Sequence, residues 1–168
     1  NTFSRYASDP NRRHSPYSNS IYTVSLGQSG NLWLGYPSSF SSFDPESGEF
    51  KHFTPDSLSI PNFGVVFDFA HDSDGNIWIA TQLSGVLKFR PETGIISPLP
   101  VASKSPQNYA GKIVTRLVMA PSGALWLAHG VEGASKYNPG SLELPTYNHI
   151  EEDPSSISSN RVFDIYID

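Results

Sequence analysis

The sequence predicts an all-β chain built from repeated four-stranded units, and three observations predict it. Trp33, Trp78 and Trp126 stand 45 and 48 residues apart and share their surroundings: Gly30-Asn31-Leu32-Trp33-Leu34-Gly35, Gly75-Asn76-Ile77-Trp78-Ile79-Ala80 and Gly123-Ala124-Leu125-Trp126-Leu127-Ala128. Self-similarity at a period of roughly 20 to 50 residues marks a repeat architecture. Gly and Pro contribute 13 and 14 residues, enough to place a turn between every pair of short strands. No long segment carries helical periodicity, and aromatic residues reach 12%, which favours strands.

Aligned on Trp, each unit divides into strands a to d. Strand a covers 20–26, 65–70 and 113–119, with Ile21, Val66 and Val114 each 12 residues before Trp. The turn after it holds Gly30, Gly75 or Gly123, which supply the positive φ of a short hairpin. Strand b carries the Trp, and alternation sets Leu32 and Leu34 on one face with Trp33 on the other. Strand c ends in an aromatic: Phe43, Phe89 or Tyr137. Pro-containing turns follow at Pro45, Pro91 and Pro139. Strand d closes each unit at 50–53, 96–99 and 144–147.

Units apolar on both faces are sandwiched between neighbours, as the blades of a β-propeller are. A β-sandwich would not need to repeat itself. The chain then holds three blades, at 20–53, 65–99 and 113–147. Residues 3–6 read as the outer strand of a preceding blade. Residues 161–167 read as strand a of a following one, because 162–168 match 66–72 position by position. Closed propellers have about four to eight blades. The expectation is therefore an excised piece of a larger propeller, an expectation shared by its opening on Asn1 without an initiator Met. Exposed terminal edges predict association with the remaining blades or with a second copy.

The bulk numbers exclude several classes. A net charge of −5 argues against nucleic-acid binding, which needs a basic stripe. Absence of cysteine excludes disulfides and thiolate metal sites. No apolar run approaches the roughly 18 residues of a membrane span.

The pattern Ser158-Ser159-Asn160-Arg161-Val162-x-x-Ile165, then Asp72-Ser73-Asp74-Gly75-Asn76-Ile77-Trp78-Ile79-Ala80-Thr81, then Gly85-Val86-Leu87-Lys88-Phe89 and Gly94, resembles the two-component regulator propeller repeat. The run Asp153-Pro154-Ser155-Ser156-Ile157-Ser158-Ser159-Asn160 is similar to that family's linker between blades. The first unit departs at Tyr36-Pro37 and the third at Ala128-His129. The resemblance implies a periplasmic, extracytoplasmic sensor region of a membrane-anchored bacterial signalling protein. Its output domain would be a histidine kinase or a cyclic-dinucleotide enzyme, and its ligand in several such proteins an oligosaccharide. It implies a binding module without catalysis and without a cofactor. Two alternatives stand beside it: a propeller lyase resembling streptogramin lyase, which uses Mg²⁺ and loop histidines, and a pure scaffold.

Loops on a rigid scaffold carry function disproportionately. The b–c and d–a loops gather on one propeller face, which makes Tyr36, Gln82, Tyr109 and His129 the candidate ligand contacts. Aromatics and amides suit stacking and hydrogen bonding to a sugar. Arg12, Arg13 and His14, ahead of the first strand a, form a basic run suited to a carboxylate or sulfate. Trp33, Trp78 and Trp126, with Gly30, Gly75 and Gly123, recur at fixed positions and read as structural. Asp72-x-Asp74-Gly75-Asn76 differs from a calcium loop, since Gly falls fourth and Leu83 occupies the twelfth position. The histidines show no metal-ligand spacing, so no metal site is expected.

Overall fold

The computed structural model describes residues 3–9, 11–12, 14–102 and 112–168. It consists of three four-stranded antiparallel sheets. The first holds β1 (Thr23–Leu26), β2 (Leu32–Gly35), β3 (Phe40–Phe43) and β4 (Phe50–Phe53). A single helical turn, α1 (Pro55–Leu58), leads to the second: β5 (Val66–His71), β6 (Ile77–Thr81), β7 (Val86–Arg90) and β8 (Ile95–Pro98). The third holds β9 (Val114–Met119), β10 (Leu125–His129), β11 (Ala134–Tyr137) and β12 (Thr146–Tyr147). Each strand pairs with its neighbour in sequence, so every sheet is a meander and every sheet is one blade.

The register follows the repeat. Trp33 stands opposite Ser42, Trp78 opposite Lys88 and Trp126 opposite Lys136. The a–b hairpin closes the same way three times: Gly27 N–H donates to Asn31 O, Asp72 N–H to Asn76 O and Ala120 N–H to Ala124 O. Gly30, Gly75 and Gly123 sit at φ 85°, 78° and 81°. These are left-handed values that a Cβ disfavours.

The core lies between blades. Trp33 joins Phe40 and Phe53 of its own blade to Phe69 and Phe89 of the next. Trp78 packs with Leu117, Leu127 and Tyr137 of the third blade, its ring centroid 5.6 Å from that of Tyr137. Among the described residues no further blade lies against Trp126, which stacks on Tyr147 of its own blade. The strand-b residue on the opposite face, Leu34, belongs to a separate small cluster with Tyr36 and Phe43.

Several boundaries differ from the sequence reading. The first strand a pairs only over Thr23–Leu26, and Ile21 is exposed, with no blade among the described residues covering it. Strand d of the third blade shortens to Thr146–Tyr147. Residues 3–6 and 161–167 form no ladder. Tyr6 instead packs edge-on against Phe43, 4.9 Å between centroids, and Val162 N–H donates to His129 O. The α1 turn is one a periodicity search cannot see. It is built locally by Thr54, which accepts from Ser57 N–H, and by Pro55 at the first helical position.

The linkers repeat as well as the blades. Ser8 N–H donates to Asn19 Oδ1 and His149 N–H to Asn160 Oδ1, across the same separation of 11 residues. Within each loop a serine hydroxyl, Ser15 or Ser156, ties both edges together.

Candidate functional site

The position three residues after Trp holds Tyr36, Thr81 and His129, and the structure turns all three inward. Each backbone N–H closes the b–c turn, donating to Ser39 O, Gly85 O and Gly133 O respectively. Tyr36 and Thr81 are fully buried and His129 is 2% exposed. The carbonyls at this position reach the next blade: Tyr36 O accepts from Val66 N–H at 3.0 Å and His129 O from Val162 N–H at 3.1 Å. Tyr36 and His129 were expected to present side chains to a ligand. They are core residues instead, because this end of strand b is covered by its own b–c turn and by the following strand a.

His129 is held by a short polar chain. Its Nε2 lies 2.8 Å from Ser135 Oγ, which lies 2.9 Å from Thr146 Oγ1. Burial lowers the imidazole pKa to about 4; Glu132 opposes that shift and Lys112 adds to it. A neutral, enclosed imidazole of this kind anchors strands b, c and d to one another.

Gln82 is half-buried, and its backbone N–H donates to Val65 O while its Oε1 accepts from Val65 N–H. It fastens the d–a loop. Arg12 is largely exposed and pairs with Asp9 at 3.4 Å. His14 lies beside Glu49, Phe50 and Lys51 at the start of β4. Phe50 stands opposite Phe43 and Phe43 opposite Leu32, so this is the end of the blade away from Tyr36. The structure therefore does not bring His14 together with the b–c loops. Arg13 and Tyr109 lie outside the described residues.

The Asp72 turn is closed by its own carboxylate. Asp72 Oδ1 accepts from the N–H groups of Asp74 and Asn76 and from the Asn76 amide. Among the described residues no three His, Asp or Glu side chains converge as metal ligands.

The sequence reading missed a charged ladder on the innermost strands. Ten residues before Trp stand Thr23, Asp68 and Arg116, and Asp164 holds the same place in the terminal segment. Arg116 Nε lies 3.6 Å from Asp68 and 3.0 Å from Asp164. Asp68 also accepts the Leu117 N–H of the neighbouring blade at 2.9 Å. Burial raises the Asp68 pKa, with the Leu117 N–H and Arg116 opposing. Thr23, Asp68 and Arg116 line a polar cavity of about 330 Å³ where β1, β5, β9 and residues 165–167 face one another. The signal was the match of 162–168 to 66–72, which aligns Asp68 with Asp164 around Arg116.

Residues 61–82, the entry to the middle blade through strand b, match the family model "Two component regulator propeller". That stretch is similar to one two component regulator propeller repeat. Solved structures resemble this chain along most of its length. One is an extracellular domain from B. thetaiotaomicron described as part of a hybrid two component system. It is 20% identical, with 92% of this chain and 20% of that chain covered at a TM-score of 0.73. A second extracellular domain from the same organism, also described as hybrid two component, is 17% identical over 99% of this chain and 27% of its own, at 0.52. A catalytically inactive virginiamycin B lyase from Staphylococcus aureus, solved with quinupristin, is 14% identical over 88% of this chain and 45% of its own, at 0.59. At such identities the likeness is one of fold. The chain spans about a fifth to under half of the length of these structures. No curated protein matches it by sequence. No helix among the described residues is long and apolar enough to cross a membrane.

Proposed function

We propose that this chain is the ligand-sensing part of an extracytoplasmic bacterial sensor propeller, binding a small ligand, such as an oligosaccharide, without turning it over. The regulator propeller repeat at residues 61–82 carries the reading, and the fold likeness to two extracellular domains described as hybrid two component systems supports it. Ligand binding across blades would bias a membrane-anchored, periplasmic protein between two states, and only differential affinity for those states transmits a signal. The output domain is a histidine kinase or a comparable enzyme elsewhere in the parent protein. Exposed Val24, Leu26, Phe163 and Tyr166 are the apolar surfaces against which further blades or a second copy pack.

A thermal-shift screen of the intact sensor region with oligosaccharides tests this. Ligand at a hundredfold its dissociation constant adds about 2.7 kcal/mol. A saccharide-specific shift supports the reading, and a flat response across the panel removes it. The second reading, a propeller lyase, rests on the fold likeness to virginiamycin B lyase. EDTA-sensitive turnover of a streptogramin would establish it. His129, the loop histidine that a lyase would use, is enclosed and bonded to Ser135, so the binding reading leads.

A further inference from the structure

The three tryptophans share one register but lie under different covers. In the middle blade the indole N–H of Trp78 donates to Asp72 Oδ2 at 3.0 Å. Lys88 Nζ lies 4.8 Å from the ring centroid and 3.8 Å from the same carboxylate oxygen. In the third blade Lys136 covers Trp126 at 5.4 Å. In the first blade the place of Asp72 is taken by Gly27 and the place of Lys88 by Ser42. The lysine has moved out by one strand: Lys51 stands opposite Ser42, where the middle blade sets Ser97 opposite Lys88. Blade 1 thus keeps an indole N–H and an ammonium and lacks the carboxylate that joins them in blade 2.

The missing side chains leave a groove of about 400 Å³ between blades 1 and 2, lined among others by Gly27, Trp33, Lys51, His71 and Glu92. Gly27 stands directly against the Trp33 indole nitrogen; a Cβ there would lie 2.8 Å from it. Lys51 Nζ lies over the Phe53 ring, 5.3 Å from its centroid, on the groove wall that also holds Trp33. The walls are set in place: His71 Nε2 lies 2.9 Å from Ser25 Oγ and the Gln28 amide donates to Asp72 O. The Trp33 N–H opens on this groove, so an acceptor that enters can take it, and Lys51 on the same wall supplies the positive charge.

We propose that this groove binds a small hydroxy-monocarboxylate, whose carboxylate takes the place that Asp72 fills in blade 2. It accepts from Trp33 Nε1 and pairs with Lys51, a charge-assisted arrangement. Glu92, exposed at the rim from blade 2, accepts from ligand hydroxyls and repels a second carboxylate. The site follows from blade geometry alone and does not depend on the signalling reading.

The test is a titration of the full chain, ¹⁵N-labelled at its three indoles, with gluconate and with its neutral counterpart glucitol. Gluconate should move the Trp33 indole resonance saturably and leave that of Trp78 in place, while glucitol needs a roughly tenfold higher concentration. Lys51→Gln should weaken gluconate roughly tenfold, Lys51→Arg should restore it, and Lys136→Gln in the third blade should change nothing. Glu92→Gln should admit the dicarboxylate glucarate. Trp33→Phe assigns the resonance; should that variant not fold, Lys51→Gln, at an exposed position, decides alone. A Trp33 resonance unmoved by gluconate, moved equally by glucitol, or indifferent to Lys51→Gln overturns the proposal.

Discussion

Trp78 and Asp72, six residues apart across the a–b hairpin, form one unit: the indole N–H donates to a carboxylate whose other oxygen closes the turn. The carboxylate also receives the Asn76 amide on both oxygens and stands 3.8 Å from Lys88. Replacing Asp72 by Ala leaves the Trp78 and Asn76 donors enclosed without acceptors. The expected cost is roughly 2–3 kcal/mol, read as a lower urea midpoint with an unchanged m-value. An unaltered midpoint would mean that water serves these donors equally well.

The tryptophans should differ in worth. Trp78 is 1% exposed between two blades, and Trp78→Ala should cost roughly 3–5 kcal/mol. Trp126 is half-buried and faces its own Tyr147, so Trp126→Ala should cost less by roughly 1–2 kcal/mol. Parallel denaturation of the two variants compares them, and equal losses would contradict the assignment of the core to the blade interfaces.

Gly75 offers a test of backbone conformation alone. Nothing lies within 4 Å of a Cβ built there, and φ is 78°. Gly75→Ala should therefore destabilise by about 1 kcal/mol, and Gly75→Asn by less, since Asn tolerates the left-handed region. A calorimetric comparison of the two variants checks the order.

Stability should fall with acid through His129. The unfolded imidazole titrates near 6.5 and the folded one near 4. Between these values the unfolded chain binds the proton and the native chain does not. The contribution is fully present above pH 6.5 and is lost as pH falls toward 4, by about 3 kcal/mol. His52 and His71 are lowered by burial and act in the same direction. Asp68, raised by burial, acts in the opposite one. Denaturant midpoints from pH 7.5 to 4 should slope down, and His129→Gln should flatten the slope.

Much of the fold was legible because its signals are local. A glycine that needs positive φ, a Trp between alternating aliphatic residues and a Pro-containing turn each act within one hairpin, so three copies give three blades. The site was less legible. The expected contacts Tyr36 and His129 occupy a position that looks like a loop in one dimension, yet it is closed over by strand a of the second blade at Val66 and by the terminal segment at Val162, whose N–H groups donate to their carbonyls. Gln82 is turned back to Val65 of its own blade, 17 residues earlier in the sequence. The Asp68–Arg116–Asp164 ladder joins residues 48 apart in sequence, a separation that no window of local pattern spans.

By itself the sequence determined the blade, its four strands and its hairpin registers, because alternation and turn chemistry are properties of a few adjacent residues. Only the tertiary structure decided which repeated positions are covered. Trp33 and Trp78 are the same residue in the same register, but one lies under Asp72 and Lys88 while the other borders an open groove beside Gly27 and Ser42. Burial depends on what the adjoining strands and the neighbouring blade bring across the interface, and that is settled when the blades pack.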